Sequence, residues 1–540
     1  MCWLTLWGAI LLPSGFPYMI KRHSRREFLL FPVVAAGADF LSCGGASSST
    51  GRGSSGGGGG GDTPNAIVLE NMKPGDPSWA IPNPAENREI EGYASATSVN
   101  RGETISFFVN TADPSFTIQI FRMGWYGGAG ARSVAAAVTL SGTRQVTPSP
   151  DPSTGRVECQ WTNPYTLTVP ANPSDSTDWA SGVYLAKLTA GTSSKQAYIV
   201  FVVRDDNRRS DLLFQASMNT HQAYNLWGGT SLYTVPPAVK VSFNRPYNRG
   251  WGSGDFTRWE YNTIRYLERE GYDVSYICDV ATHERGDLLL SHKAFLVVGH
   301  DEYWSWQMRN NVENARDSGV NLGFFGANTC FWQIRYEASP LTGDPDRTIV
   351  GYKYTALTAD PLANDPSQSY LTTYKWRYPP INRPEAQMVG VMYPLDFGEP
   401  IDGDIVVSNV SNFVFQGTGL QIGDHLKGLL GVEVDRVYPG ASPAATTIVA
   451  DSPYVNVGGT GEDQVQEGNP LPGTTYHSHM TYYTTPGGAT VVATGSMQWN
   501  WGLDSFSMRG YSHSDFTDPK VQQAMRNILK QFGATGQTPQ

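Results

Sequence analysis

Charge is scarce in this sequence: only 16% of the residues carry it, and the formal net charge is −10. A polyanion such as DNA would be repelled by that balance unless a local basic patch reversed it, and the sequence has none. Nucleic acid is excluded as a partner on that ground. Motifs are scarce as well. No Gly-x-Ser-x-Gly elbow, Walker loop, zinc-type Cys-x-x-Cys or dinucleotide fingerprint is present. The apolar stretch at residues 3–17 is too short to span a bilayer and is broken by Pro13. What is present in quantity is apolar and small: 40% hydrophobic residues, 58 glycines and 35 prolines in 540 residues. That composition rules out wholesale disorder and predicts two or three folded bodies with many turns. Fifteen tryptophans and 27 tyrosines suit either buried packing or a sugar-binding face.

The N-terminus reads as an address. Ser24-Arg25-Arg26-Glu27-Phe28-Leu29 has the form of a twin-arginine export signal, followed by an apolar run from Leu29 to Ala36. Phe40-Leu41-Ser42-Cys43-Gly44 resembles a bacterial lipobox, which makes Cys43 the lipidated first residue of an exported, membrane-anchored protein. Met19, just ahead of Lys21 and Arg22, is the natural start of such a signal. Residues 44–65 are Ser- and Gly-rich, with six consecutive glycines from Gly56 to Gly61, and read as a flexible tether.

Two bodies follow. From residue 66 to 204, short strands of alternating polarity (Ile105, Phe107, Val109; Phe116, Ile118, Ile120; Tyr198, Val200, Val202) predict an immunoglobulin-like β-sandwich. The segment Phe121 to Gly128 reads either as a loop reaching toward the second body or as a self-packed hairpin. From 205 to 540 the pattern changes. Leu212-Leu213-Phe214, Phe295 to Val298 and Leu322 to Phe325 are continuous apolar runs, as in strands buried on both faces. Helical patterns at about 257–270, 305–318 and 518–532 lie among them. Together they predict a doubly wound α/β domain, similar to glutamine-amidotransferase-like domains, with a loop-rich insertion at about 340–475. Its strands are expected to close a core without help from the sandwich.

In such a sheet, ligands bind beyond the carboxyl ends of the strands. Three loops fall there: Asn219 to Asn225, with His221; His300-Asp301-Glu302-Tyr303; and Gly326-Ala327-Asn328. His221, His300, Asp301, Glu302 and Asn328 are the candidate catalytic residues, although Asp301 also suits a helix cap. His477-Ser478-His479 reads as a surface pair. Cys159, Cys278 and Cys330 leave an odd number once Cys43 is used, and spacing leaves a Cys278–Cys330 pairing open.

The strings HQAYNLWGG, VSFNRPY, WEYNTIRYLEREGYDVSY, VVGHDEYWS, NLGFFGAN and ATGSMQWNWGLD occur in an order that resembles the C-terminal region of the large (beta) subunit of N,N-dimethylformamidase. That resemblance covers most of residues 205–335 and part of 475–535. It implies hydrolysis of the C–N bond of a small amide at one Fe3+ ion held by two tyrosines and a glutamate. Carried onto this chain, it offers Tyr303 and Tyr261 as the tyrosines. Tyr261 also shares a helix face with Ile264 and Leu267, so a core role stays open. Glu385 is the candidate glutamate, with Glu302 as the fallback. Hard Fe3+ favours anionic oxygen, and a bound cation drives a phenol to phenolate. The rival reading is a non-catalytic surface lipoprotein that binds glycans or a protein partner. A homo-oligomer is compatible with either.

Overall fold

The alternating N-terminal segments form strands at Thr104–Thr111, Ser115–Met123 and Gln196–Arg204. A computed structural model describes residues 63–537, apart from 173–174, 176, 395–401, 456–472 and 508–512; the export signal, Cys43 and most of the tether lie outside the described residues. Ile90–Ala94, Thr104–Thr111 and Tyr165–Thr168 make a three-stranded antiparallel sheet. Ser115–Met123, Gly182–Ala190 and Gln196–Arg204 run side by side at the centre of a six-stranded one. Ile105, Phe107 and Val109 of the first sheet meet Ile118, Ile120 and Phe201 of the second in one apolar cluster.

The other face of the six-stranded sheet is also covered. Phe121, Met123, Leu185, Tyr198 and Val200 belong to the same apolar cluster as Leu213, Phe214, Ile264 and Leu296. Gly182–Ala190 and Gln196–Arg204 are therefore buried almost throughout, where alternation predicts one wet face. The expectation that the α/β region closes a core of its own is corrected by this: residues from Asp62 onward form one compact unit around a shared core. Phe121 to Gly128 does reach across. Arg122 lies fully buried, with a guanidinium nitrogen 2.7 Å from Glu268 of the helix Tyr261–Arg269.

Leu212–Ala216, Ala294–His300 and Asn321–Ala327 are parallel neighbours, as their continuous apolar runs predict. Val274–Cys278 flanks one side and Thr490–Ala493 the other, both parallel. Two antiparallel strands, Thr475–Thr484 and Thr447–Val455, complete seven among the described residues. The architecture is mixed α/β and rich in sheet. From Leu212–Ala216 the chain moves first to one side of the sheet and then to the other. That reversal opens a crevice at the carboxyl ends of Leu212–Ala216 and Ala294–His300.

Local chemistry sets the helix ends. Ser305, not Asp301, caps Trp306–Asp317, accepting the Met308 N–H at 3.1 Å. Asp518 caps Pro519–Gln531 in the same way. The expected helix at 257–270 is two pieces, Phe256–Trp259 and Tyr261–Arg269. Cys159, Cys278 and Cys330 are free and buried, so Cys278 and Cys330 do not pair. No helix among the described residues is long and apolar enough to cross a membrane.

Candidate active site

The crevice holds a compact set of oxygens. Glu302 leaves the end of Ala294–His300 and is 2% exposed. Its carboxylate accepts the Tyr224 hydroxyl at 2.9 Å and the Tyr233 hydroxyl at 3.0 Å. Tyr303 donates in turn to the Tyr233 oxygen at 2.6 Å. The Lys353 ammonium lies 3.1 Å from the Tyr303 hydroxyl and 3.3 Å above the Tyr233 ring. On the other side, His300 Nε2 stands 3.4 Å from Glu302 and 3.0 Å from Glu433. Asn328, at the end of Asn321–Ala327, turns with φ +52°, and its buried Oδ1 has no protein partner. Tyr233 is 40% exposed although its hydroxyl points inward, so it stands at the entrance.

Charge is unevenly held here. Burial, then the negative charge of Glu302, pushes Tyr224, Tyr233 and Tyr303 well above the usual phenol range. Burial opposes ionisation of Glu302 too, but His300, Lys353 and Tyr224 outweigh it and keep the carboxylate below its usual range. Burial would lower His300, yet Glu433 and Glu302 push it up to about 10. Among the described residues, no group of three or more His, Cys, Asp or Glu side chains is arranged to hold a metal ion. A set made mainly of phenols is a different matter. Tyr224 and Tyr233 direct two hydroxyls at one carboxylate, and those are the hard oxygen donors that suit Fe3+.

A family model described as N,N-dimethylformamidase beta subunit-like, C-terminal, matches residues 117–515. The chain belongs to this family. The dimethylformamidase beta subunit-like match begins inside Ser115–Met123, well before residue 205, where the resemblance in the sequence starts. The six-stranded sheet that shares the core thus falls largely within the matched unit. Among solved structures, the chain shows a slight likeness to Pseudomonas fluorescens alkylpurine DNA glycosylase AlkC bound to DNA containing an abasic site analog. Identity is 12%, the TM-score is 0.14, and the likeness covers 22% of this chain and 30% of that one. The chain therefore spans less than a third of that protein, and the likeness carries no argument. Comparison with curated proteins finds no match.

Within this dimethylformamidase-like unit, the structure brings His300, Glu302, Tyr303 and Asn328 to the crevice. The other expected residues lie elsewhere. Asp301 points down, accepting Gln215 Nε2 at 2.6 Å and Trp304 Nε1 at 3.0 Å. His221 is buried against Glu260 at 3.2 Å. Tyr261 gives its hydroxyl to the Gly130 carbonyl and packs its ring on Trp79 and Phe506. Glu385 is held by Arg377 at 2.9 Å. Tyr261 and Glu385 thus each spend polar atoms on a protein partner, and neither is among the groups that meet Glu302. Glu302, the fallback, is the carboxylate that the structure brings beside Tyr224 and Tyr233. Tyr224, Tyr233, Lys353 and Glu433 were missed. Tyr224 stood in a loop already singled out by its sequence, while Tyr233 and Glu433 sit in irregular segments and Lys353 opens the short 3-10 turn Lys353–Thr355, none with a motif. His477 and His479 bracket Asp451 at 2.5 and 3.6 Å on the sheet edge, His477 about half exposed and His479 largely covered.

Asp435 supports this floor, accepting the Asn328 N–H at 2.9 Å. Burial, partly offset by that bond, pushes its carboxyl up to about 7. An unfolded aspartate ionises near 3.9, so between roughly pH 4 and 7 the folded chain binds more protons and loses stability as pH rises. Asp435→Asn keeps the acceptor and removes that loss. The variant is expected to be more stable than wild type by roughly 4 kcal/mol at pH 8, with the gap closing by pH 4. Urea melts at both pH values measure it, and a gap that does not grow with pH would show an ionised Asp435.

Proposed function

We propose that this crevice hydrolyses the C–N bond of a small amide, with Tyr224, Tyr233 and Glu302 holding Fe3+. The observation that carries this reading is the convergence of two phenol hydroxyls on the Glu302 carboxylate at 2.9 and 3.0 Å. An ion bound there would supply Lewis acidity toward an amide carbonyl. The remaining work falls to the chain. Glu433, 20% exposed, is the open carboxylate nearest to solvent and accepts the proton of the attacking water. His300, 3.0 Å away, donates a proton to the departing amine and recovers one from Glu433. The unpartnered carboxamide oxygen of Asn328 accepts a substrate or water hydrogen. Lys353 counters the negative charge of the set from behind Tyr303.

Absorption spectra and elemental analysis test the reading. Iron-replete protein is expected to be coloured by phenolate-to-iron charge transfer. Tyr224→Phe and Tyr233→Phe should each lower iron content and the visible band. Tyr261→Phe should leave both unchanged. Colourless wild-type protein that takes up no Fe3+ on reconstitution, or a Tyr261→Phe variant that alone loses the band, would sink it.

The export reading is proposed alongside. The mature chain begins at a lipidated Cys43, which ties the protein to a membrane. Mass spectrometry of the native N-terminus reads this directly. A cytoplasmic protein that keeps residues 19–42 would contradict it.

A further inference from the structure

A cavity of 650 Å³, none of whose lining residues belongs to the Glu302 crevice, lies between the turn leading into Ile90–Ala94 and the loop 226–252. Its size falls in the roughly 300–1,000 Å³ range of small-molecule sites. Two of its walls carry strained backbone. Trp251 has φ +51° and ψ 36°, and Arg88 has φ +63°. Bulky side chains adopt that left-handed region rarely and at a cost, and such residues gather where a ligand is clamped.

The strain at Trp251 has a visible cause. Gly252, at φ +104°, lies so close to the Tyr198 carbonyl that an added Cβ would stand 2.0 Å from its oxygen. The loop backbone is therefore pressed onto the strand Gln196–Arg204, and the Trp251 indole is turned to the cavity. That ring has no aromatic or cationic partner among the described residues, whereas Trp227 in the same cavity is covered by Arg88 at 4.6 Å.

The charged groups lining the cavity are Glu86, Arg88 and Glu91. Arg88 spends its charge on Glu91 through two bonds of 2.9 Å. Asn248 uses its carbonyl on the Leu226 N–H at 2.9 Å, which leaves its NH2 group over. Glu86 is exposed and offers an acceptor. What remains is the half-buried Trp251 indole, which packs partly on the core and carries no ring or cation among the described residues, an apolar edge at Leu226 (45% exposed), a carboxamide donor and a carboxylate acceptor. An alkylammonium ligand would call for a cage of several open rings, whereas here Arg88 already lies over Trp227 and Tyr198 is 1% exposed. A lipid would leave the carboxamide and carboxylate unused.

We propose that this cavity binds a neutral saccharide, with its C–H face on Trp251 and its hydroxyls on Glu86 and Asn248. This site is separate from the amide-hydrolysing crevice and does not depend on that assignment.

The test uses the full chain and a panel of neutral tetrasaccharides: β-1,4-linked glucose, N-acetylglucosamine and xylose, and α-1,4-linked glucose. Saturable binding of at least one, with a change in tryptophan fluorescence, is expected by titration. Trp251→Gly retains the left-handed backbone without strain and should weaken that binding at least tenfold. Leu226→Arg, introduced from an exposed position, fills the cavity and should abolish it. Both variants should keep wild-type iron content and amidase activity. The proposal is overturned if no panel member binds, if both variants bind as wild type does, or if tetramethylammonium saturates the site in place of the sugars.

Discussion

Glu302→Gln is expected to cost about a thousandfold in amidase turnover and to strip iron from the purified protein. The carboxylate is the one group that both phenols address, and it is also one of the two negative charges beside His300, at 3.4 Å. Glutamine keeps the shape and one acceptor oxygen, but it cannot supply an anionic ligand. Losing Lewis-acid assistance removes several kcal/mol of barrier lowering, and each 1.36 kcal/mol is a factor of about ten. The fold should survive, because Tyr224 and Tyr233 still meet an acceptor. Three measurements decide the matter together: turnover of a small N-alkyl amide, iron per chain, and the melting temperature. Full activity and full iron in a folded Glu302→Gln protein would remove Glu302 from the site.

Arg122→Met is expected to destabilise the protein by roughly 3–5 kcal/mol, though it lies far from any chemistry. Arg122 and Glu268 are both fully buried and 2.7 Å apart. Arg122 also meets the Tyr126 hydroxyl at 2.8 Å, and Glu268 accepts from Tyr276 at 2.8 Å and Asn71 at 2.9 Å. Removing the guanidinium leaves a carboxylate with no counter-charge in the seam between the six-stranded sheet and the α/β region. Adding Glu268→Gln keeps the acceptor for Tyr276 and Asn71 while removing the stranded charge. The double variant should therefore recover a kcal/mol or more of what the single one loses, measured by denaturant melts. Equal stability of the single and double variants would mean the seam tolerates the lone charge. The same seam predicts that a fragment starting near residue 205 lacks cooperative unfolding, because Phe121, Leu185 and Val200 no longer cover its sheet.

The strands were legible because continuous apolar runs and strict alternation are direct consequences of two-sided and one-sided burial. The loop carrying His300, Glu302 and Tyr303 was legible for a related reason, since its polar residues follow such a run at once. Alternation misled in one respect. Tyr198, Val200 and Val202 signal a core face, but nothing local reveals that the opposite face is covered as well. Tyr261 looked equally suited to a helix stripe and to a metal, and only the position of the Gly130 carbonyl decides between them. A rigid flank for Glu385 described an arginine-paired carboxylate as well as a ligand. Tyr233, Lys353 and Glu433 come from segments without a motif that only the folded chain brings beside Glu302.

The scatter of the site along the chain has a consequence for timing. Tyr224, Glu302, Lys353 and Glu433 emerge from the ribosome in that order, and contacts between such distant segments form slowly. The phenols and Glu302 are made early, but Glu433 joins them only through a segment anchored on the late strands Thr475–Thr484 and Thr490–Ala493, where the Asp435 N–H bonds the Gly495 carbonyl and the His479 N–H bonds the Asp435 carbonyl. A nascent chain stalled before those strands has donors without an enclosure. On the proposed reading, an ion would be enclosed only once the sheet has closed, and iron content would count molecules that have finished folding.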